Sequence, residues 1–581
     1  MSSNKKIYKE LMNILFAEKQ ILIIFLAYSI FISLIYLAVP LGAQIIVNII
    51  STGVLIQPLV IISIGVLFGL IFLGVLRILQ LYITEILQRK IFAKISWQTA
   101  SRLLKVAQKH LSEVYAPELV NRFFDTVTIQ KSLTLILLEV PAAILQILVG
   151  LIIMGIYHPI LIVFDIFLIA VIVLIVILGY RGLETSLAES SSKYKVAYWL
   201  EEIARCNVGF KMNAKEDFLL NHLDEKILNY LSDRKQHFKV ILRQFSGSYL
   251  FEAFASAGVL SIGAWLVING KMTLGQLVAS EIIILMILSS IDKIVQKIET
   301  WYDLLTAIDK VSYISKLGVE KKDGILLEPS EIGSEIKIID VDFSYNDSVK
   351  VFNKLNMELS SGARASLVGV SGSGKTSLAY ILSGLYEINS GHIFIDGRDI
   401  RSIDLDSLRS SFALVSDFNE IFSGTVEENI LLGRNALEKD SLDKVIDLLE
   451  LERDLRKYPK GLNTQLLSEG RNISLGQRQR ILIARSIIGN PQLLILDEAF
   501  GGMDEMTKLK IINKIFDLKN PWTILNITHD AEVVARTKEI FLLEDGAIKE
   551  KGLIDDLSND TKSSFSQLFP ELAKFKIREA N

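Results

Sequence analysis

Along the first half of the chain, apolar residues run on instead of alternating with polar ones. Six stretches approach or exceed the ~20 residues that a membrane-crossing helix needs: Ile21 to Ile50, Leu59 to Ile83, Leu133 to Tyr157, Ile160 to Tyr180, Tyr249 to Ile268, and Leu277 to Ile291 continuing past Asp292. A soluble helical bundle would present a polar stripe to water at helical spacing. The third and fourth runs, separated only by His158-Pro159, leave no such stripe. The pattern predicts six membrane helices, and an even number of crossings puts both ends of this half on one side.

The connections between runs alternate in length. Those over 51–58, at His158-Pro159 and over 269–276 are short turns, whereas 84–132 and 181–248 are long, helical in pattern and carry lysines and arginines throughout. The positive-inside rule places the long pair in the cytoplasm. At a rise of about 1.5 Å per residue they are long enough for paired helical arms reaching tens of Å below the bilayer. Before the first run, Lys5, Lys6 and Lys9 open an amphipathic stretch that ends at Phe16. A cleavable signal would have a shorter apolar core and a small-residue cleavage site, but this run passes Pro40 and continues to Ile50. Residues 1–18 therefore read as an interfacial helix on the cytoplasmic face.

The pattern changes where Glu320-Lys321-Lys322-Asp323-Gly324, Pro329 and Gly333 interrupt the apolar periodicity. Beyond them, short β-rich runs at Ile336 to Ile339, Ala365 to Val368, His392 to Ile395, Leu493 to Leu496, Thr523 to Ile527 and Glu539 to Leu543 alternate with helical stretches. That order predicts an α/β domain. The expected organisation is an amphipathic helix over 1–18, an all-α six-helix transmembrane domain over 19–315, a linker over 316–335, an α/β domain over 336–560 and a tail over 561–581. A net charge of −3, with no Lys/Arg block long enough to track a phosphate backbone, argues against nucleic acid as a partner. The single cysteine, Cys206, excludes an intrachain disulfide, and nothing near it has metal-ligand spacing.

Gly369-Val370-Ser371-Gly372-Ser373-Gly374-Lys375-Thr376 fits Gly-x-x-x-x-Gly-Lys-[Ser/Thr] between a predicted strand and a predicted helix that begins with Ser377. In such a loop, backbone N–H groups and the positive end of the helix converge on phosphates, and glycine leaves room for the approach. Lys375 would reach the β- and γ-phosphates, and the Thr376 hydroxyl would ligate Mg²⁺. An ATP-hydrolysing domain also needs a carboxylate for Mg²⁺ at the end of a buried strand. Leu493-Leu494-Ile495-Leu496-Asp497-Glu498 supplies Asp497 for the metal and Glu498 to polarise the attacking water.

With Asn472-Ile473-Ser474-Leu475-Gly476-Gln477-Arg478-Gln479-Arg480 lying between these two motifs, the chain resembles the ATP-binding cassette (ABC) transporter family, whose signature is Leu-Ser-Gly-Gly-Gln. Ile473 and Leu475 depart from it, while Ser474, Gly476 and Gln477 are kept. The resemblance implies that Ser474 and nearby N–H groups contact the γ-phosphate held by a second subunit's Lys375 loop. It also implies that Tyr345 stacks on adenine, that His529 senses the γ-phosphate, and that Asp504, in Gly501-Gly502-Met503-Asp504, is the retained residue of the family's Ser-Ala-Leu-Asp loop. Alignment of 415–425 puts Asp417 where the family carries a Gln that touches Mg²⁺ and the attacking water. In the membrane half, Pro117 to Asp125, Glu201 to Glu216 and Gly270 to Ala279 are similar to segments of the six-helix exporter class.

What the resemblance implies is a six-helix exporter-type transmembrane domain followed by a P-loop ATPase domain, using ATP and Mg²⁺. Two copies of the chain would pair, each phosphate loop facing the other's signature. The assembly would be a multi-pass protein of the cell (inner or plasma) membrane with cytoplasmic ATPase domains. It would export or flip an amphipathic or hydrophobic substrate, such as a lipid, lipid-linked saccharide, peptide or drug, among membrane lipids. No processing-protease domain precedes the first helix, so leader-bearing peptides are not expected. An ATP-gated channel or membrane-bound regulator on the same frame, and one half of a heterodimer, stay open as alternatives. Charges inside the spans should face a cavity or a partner. Cavity lining is considered for Arg77, Asp165 and Glu281, and ion pairing is expected for Glu139 and Glu252.

Overall fold

The structure is a computed structural model describing residues 2–52, 56–112, 114, 116–328, 330–345, 349–416, 420–434 and 439–572. It has two compact units, one of Met1–Val106 with Val114–Gly318, the other of Ala107–Glu113 with Val319–Asn581.

The described helices of the first unit are α1 (Ser2–Ala17), α2 (Lys19–Tyr36), α3 (Ala38–Thr52) and α4 (Ile56–Leu103); α5 (Gln108–Ser112) falls in the second unit. Next come α6 (Ala116–Asn121), α7 (Asp125–Tyr157), α8 (Pro159–Leu178), α9 (Gly182–Arg205), α10 (Asn207–Asn213), α11 (Glu216–Ile268), α12 (Leu274–Gln296) and α13 (Ile298–Lys316). Among them lie six stretches long and apolar enough to cross a membrane. The first apolar run forms one candidate span, Lys19–Ser51, with a kink at Leu37 between α2 and α3, where the backbone stays in the α region. Pro40 lies in the first turn of α3, where its missing N–H is tolerated, while its ring would clash with the carbonyl four residues back in a continuous helix. Tight outer turns follow from capping. The His158 ring accepts from the Ile160 N–H at 3.1 Å with Pro159 next to it, and Thr273 with Gln276 forms a reciprocal box that opens α12.

In a bilayer, water-driven burial cannot bring helices together, so packing and polar contacts must. Gln80 of α4 donates to the Ser29 hydroxyl of α2 at 3.0 Å, Ser33 to the Ala142 carbonyl of α7 at 3.2 Å, and Ser290 of α12 to Gln146 of α7 at 2.9 Å. Gly150 lets α7 and α12 approach: a Cβ there would sit 2.8 Å from the Ile287 side chain. Below the apolar runs, Ile7 and Leu11 of α1 are buried in one cluster with Leu87, Ile91, Leu304 and Ile308. Glu139 pairs with Lys297 at 3.3 Å, as expected. Glu252 does not: it is exposed on α11 and has no ion pair among the described residues.

The second unit holds three sheets among its described residues. Their strands in chain order are β1 (Ile336–Ser344), β2 (Lys350–Leu359), β3 (Arg364–Val368), β4 (Ser390–Ile395), β5 (Arg398–Asp399), β6 (Phe412–Val415), β7 (Gly424–Thr425) and β8 (Gln465–Leu466). They end with β9 (Leu493–Asp497), β10 (Thr523–Ile527), β11 (Glu539–Glu544) and β12 (Ala547–Leu553). The central sheet runs β12-β11-β3-β10-β9-β6, parallel except for the edge strand β12. Leu493 and Ile495 enter one core and Leu494 and Leu496 another, so β9 is buried on both faces and reads as a continuous apolar run. Because β3, β10 and β9 are adjacent and parallel, their carboxyl ends emerge along one edge, where ligands bind in open α/β sheets.

Replacing Gly150 by Val should overpack the α7–α12 contact. The expected loss is about 1–3 kcal/mol, read as a lower thermal midpoint of the detergent-solubilised protein.

Candidate functional site

The helices of the second unit used below are α14 (Lys375–Leu382), α15 (Leu405–Ser411), α16 (Val426–Leu431), α17 (Lys439–Leu448), α18 (Glu452–Leu455), α19 (Leu475–Ile487) and α20 (Glu505–Ile515). The loop from β3 to α14 is the phosphate motif. Gly369 and Gly374 have φ of 154° and 104°. A Cβ on Gly369 would lie 2.2 Å from the Leu543 carbonyl oxygen, and one on Gly374 would meet Val351 and the Phe352 ring at 2.9 and 2.8 Å. The loop is therefore closed to any side chain at those two positions. Ser371 and Gly372 are exposed at its tip, and the buried Ser373 hydroxyl has no hydrogen-bond partner among the described residues.

Lys375 is 8% exposed and donates to the carbonyls of Gly369 at 2.9 Å and Val370 at 3.0 Å. Burial pulls its ammonium below the usual lysine range, while the carboxylates of Asp497 and Glu498 pull it back up. Thr376 is half-buried beside it. Tyr345, 39% exposed, donates its hydroxyl to Ser377 at 2.9 Å, and its ring is set edge-on to Phe343 and Tyr386 at 4.9 and 5.0 Å. An aromatic face is thereby fixed at the mouth of the loop.

Two strands supply the opposing carboxylates. Asp497 ends β9 and is buried. Glu498 follows with a φ of 49°, a conformation an L-residue holds only under constraint. Its N–H donates to the Ile527 carbonyl at 2.9 Å, and its carboxylate accepts from the His529 N–H at 3.1 Å and the Thr528 hydroxyl at 3.4 Å. Glu498 is thus held by the end of β10, which also carries the exposed His529 ring. Buried Thr528 is a contact the motif pattern does not reveal.

A second group forms around the start of α19. Ser474 caps the helix, its hydroxyl accepting from the Gln477 N–H at 3.2 Å while the Gln477 side chain accepts from the Ser474 N–H at 2.9 Å. The remaining amide of Gln477 donates to buried Asp454 at 3.0 Å, and Arg480 pairs with the same carboxylate. Every polar atom of the Gln477 side chain is therefore used within the chain, which leaves the Ser474 hydroxyl and the first N–H groups of α19 as the surface for an anion. Asp454 lies far upstream, so no spacing rule exposes this anchor. A Cβ on Gly476 would fall 2.6 Å from the Gly502 carbonyl oxygen. One on Gly502, whose φ is 72°, would fall 2.7 Å from the Leu475 side chain. Asp504 caps α20, accepting from the Thr507 N–H at 3.0 Å, and that hydrogen bond lowers its carboxyl below the usual range. Asp417 lies outside the described residues. The loop that follows it is fixed by Asn429, which accepts from the Phe422 N–H at 3.2 Å and from Arg485 at 3.0 Å.

Two family models match the chain: ABC transporter transmembrane region over residues 22–291 and ABC transporter over 352–501. The chain belongs to the ABC transporter family. It fuses the membrane region and the ATP-binding region in one polypeptide and is a multi-pass membrane protein with a cytoplasmic nucleotide-binding domain. It is similar to the Transport/processing ATP-binding protein ComA of Streptococcus pneumoniae, 28% identical over 58% of this chain and 47% of that one. A putative multidrug export ATP-binding/permease protein of Staphylococcus aureus is 30% identical over 59% of this chain and 60% of that one. The matched regions thus span about half to three-fifths of these relatives. A bacterial Atm1-family ABC exporter solved with ATP bound has the same fold: TM-score 0.84 at 19% identity, covering 97% of this chain and 98% of that one.

Gly502→Ala should destabilise the ABC domain by about 1–3 kcal/mol, from the left-handed backbone and from the clash with Leu475. Adding Leu475→Gly should recover only the clash share, a non-additivity that a double-mutant cycle on thermal unfolding measures.

Proposed function

We propose that the chain is one half of an ATP-driven exporter whose two copies close around two ATP molecules. The observation that carries this reading is the common edge of β3, β10 and β9, which gathers Lys375, Glu498 and the backbone of His529 around one loop. The start of α19 offers its free N–H groups elsewhere, to a nucleotide held by a second copy. One chain supplies one phosphate loop and one signature helix, so a two-fold pair is the simplest complete assembly.

In this reading the backbone of 369–374 and the ammonium of Lys375 bind the phosphates, and Tyr345 bears on the base. The glycine cradle, the Thr376 hydroxyl and the buried Asp497 carboxylate fit Mg²⁺, with the orphaned Ser373 hydroxyl beside them. Thr376 and Asp497 would hold the Mg²⁺, which would supply positive charge to offset that of the triphosphate. Glu498 would accept a proton from the attacking water, and His529, two residues past the end of β10, would sense the γ-phosphate. Ser474 and the N–H groups of α19, with Asp504 nearby, close the site from the second copy, Gly476 and Gln477 keeping that helix start in shape. Asp417 is assigned to the metal and water side of the site by its position in the sequence. Closure and reopening of the ATPase pair would drive the membrane half between inward- and outward-facing states. Swinging such an equilibrium from about 1:99 to 99:1 requires ~5.5 kcal/mol from nucleotide binding. The cargo is an amphipathic or hydrophobic molecule taken from the cytoplasmic side or the lipid.

Glu498→Gln should lower ATP hydrolysis at least about 100-fold while leaving nucleotide binding, since general-base catalysis contributes on that scale. In proteoliposomes the variant should also abolish ATP-dependent substrate movement. Sustained transport by a variant that does not hydrolyse ATP would overturn the pump and favour a nucleotide-opened gate. Native mass measurement should give twice the chain mass of 65.1 kDa.

A further inference from the structure

α12 is the most enclosed of the membrane-crossing helices, yet one side of it carries exposed Leu285, Ser289 and Gln296 with half-buried Glu281 and Asp292 among them. Val278, Glu281, Leu285, Ser289, Asp292 and Gln296 are all unburied. At about 100° per residue they fall within roughly 80° of the helix circumference. The buried residues Ala279, Ile283, Ile287, Ser290 and Ile291 lie about 120–160° from the middle of that sector, while Ile282, Lys293 and Ile294 outside it are half-buried.

This side carries two carboxylates at hydrocarbon depth. Counted from Leu274, Glu281 lies about 10 Å down the helix and Asp292 about 27 Å, within a ~30 Å apolar layer. Holding a charged carboxylate against lipid tails costs about 2.5–3.5 kcal/mol on insertion scales, so such a face meets water, a ligand or protein. The nearest counter-charges do not neutralise it. Lys297 is taken by Glu139, and Lys293 lies about 120° round the helix from Glu281. Oε2 of Glu281 and Oδ1 of Asp292 are shielded from solvent and have no hydrogen-bond partner among the described residues, Asp292 using its other oxygen for Gln296 at 2.6 Å. Across the six apolar runs the balance is also acidic. Asp165, Glu252 and Glu281 have no ion pair among the described residues, against a single base, Arg77, which lies over the Tyr36 ring at 5.9 Å.

We propose that this face of α12 is a wall of the translocation cavity and that Glu281 and Asp292 select amphipathic cations as cargo. This rests on the exporter reading above and narrows its substrate class. Val278 and Leu285 receive the apolar part, while the two carboxylates, about 16 Å apart along the axis, offer successive stations for the positive charge. Two unpartnered acceptor oxygens call for a cationic or donor-bearing guest, whereas an anion would meet repulsion at both ends.

The test uses the full-length protein in phosphatidylcholine nanodiscs without nucleotide, with protein-free nanodiscs subtracted. Equilibrium binding of tetraphenylphosphonium is compared with that of neutral triphenylphosphine oxide. The wild type should prefer the cation at least about tenfold. Glu281→Gln combined with Asp292→Asn should remove that preference, and the separate variant Ser289→Lys, on an exposed position that puts little packing at risk, should also weaken cation binding about tenfold. Equal binding of the two probes by the wild type, or cation binding within about twofold of wild type in both variants, would overturn the inference. So would loss of the two-copy mass in the variants, which would make this face a subunit seam. ATP hydrolysis by the same preparation reports on the exporter reading separately: hydrolysis without cation preference sinks the cargo assignment alone.

Discussion

A buried ammonium has to be balanced from every side, and the nucleotide end of this chain is organised around one. Lys375 has left water for two loop carbonyls and the field of Asp497 and Glu498. That arrangement demands glycine where the loop meets Leu543 and Phe352, three parallel strands in the order β3-β10-β9, and a core on each face of the sheet. It also makes the loop responsive. Phosphate oxygens are stronger partners for a cation than peptide carbonyls, so a bound triphosphate would exchange internal contacts for external ones at the same ammonium.

The features legible in the sequence are those that each occupy one contiguous stretch. Six apolar runs, six β-rich segments and the phosphate, carboxylate and signature motifs are local patterns, and β1, β3, β4, β9, β10 and β11 begin or end within a few residues of where they were expected, while β2, β6 and β12 went unread. The kink at Leu37 was within reach too, since Pro40 marks it. What the sequence conceals is convergence between distant segments. Nothing near Asp454 announces that Gln477 and Arg480 will meet on it, and nothing about Thr528 announces that it will hold Glu498. Charges inside the spans were visible as residues but not as faces. Glu139 found Lys297, Glu252 found no ion pair among the described residues, and Glu281 and Asp292 share a side of α12 because eleven residues make about three turns.

Departures from the family signature also make sense in pairs. A leucine at 475 occupies volume that the more usual glycine would leave open, and the neighbouring loop yields by carrying Gly502 in a left-handed turn. Two changes that look like separate losses of consensus are one packing solution, with Gly476 kept between them because the carbonyl of Gly502 leaves it no room.

α11 contains 53 residues and no proline, so a single hydrogen-bonded ladder connects its charged cytoplasmic end to Ile268. Such a rod, about 80 Å long, bends reluctantly and tilts as a whole. A lean of about 5° would carry its far tip ~7 Å, which is wider than a methylene chain. Small displacements at one extremity are therefore magnified by length alone, with no relay of side chains between the ends.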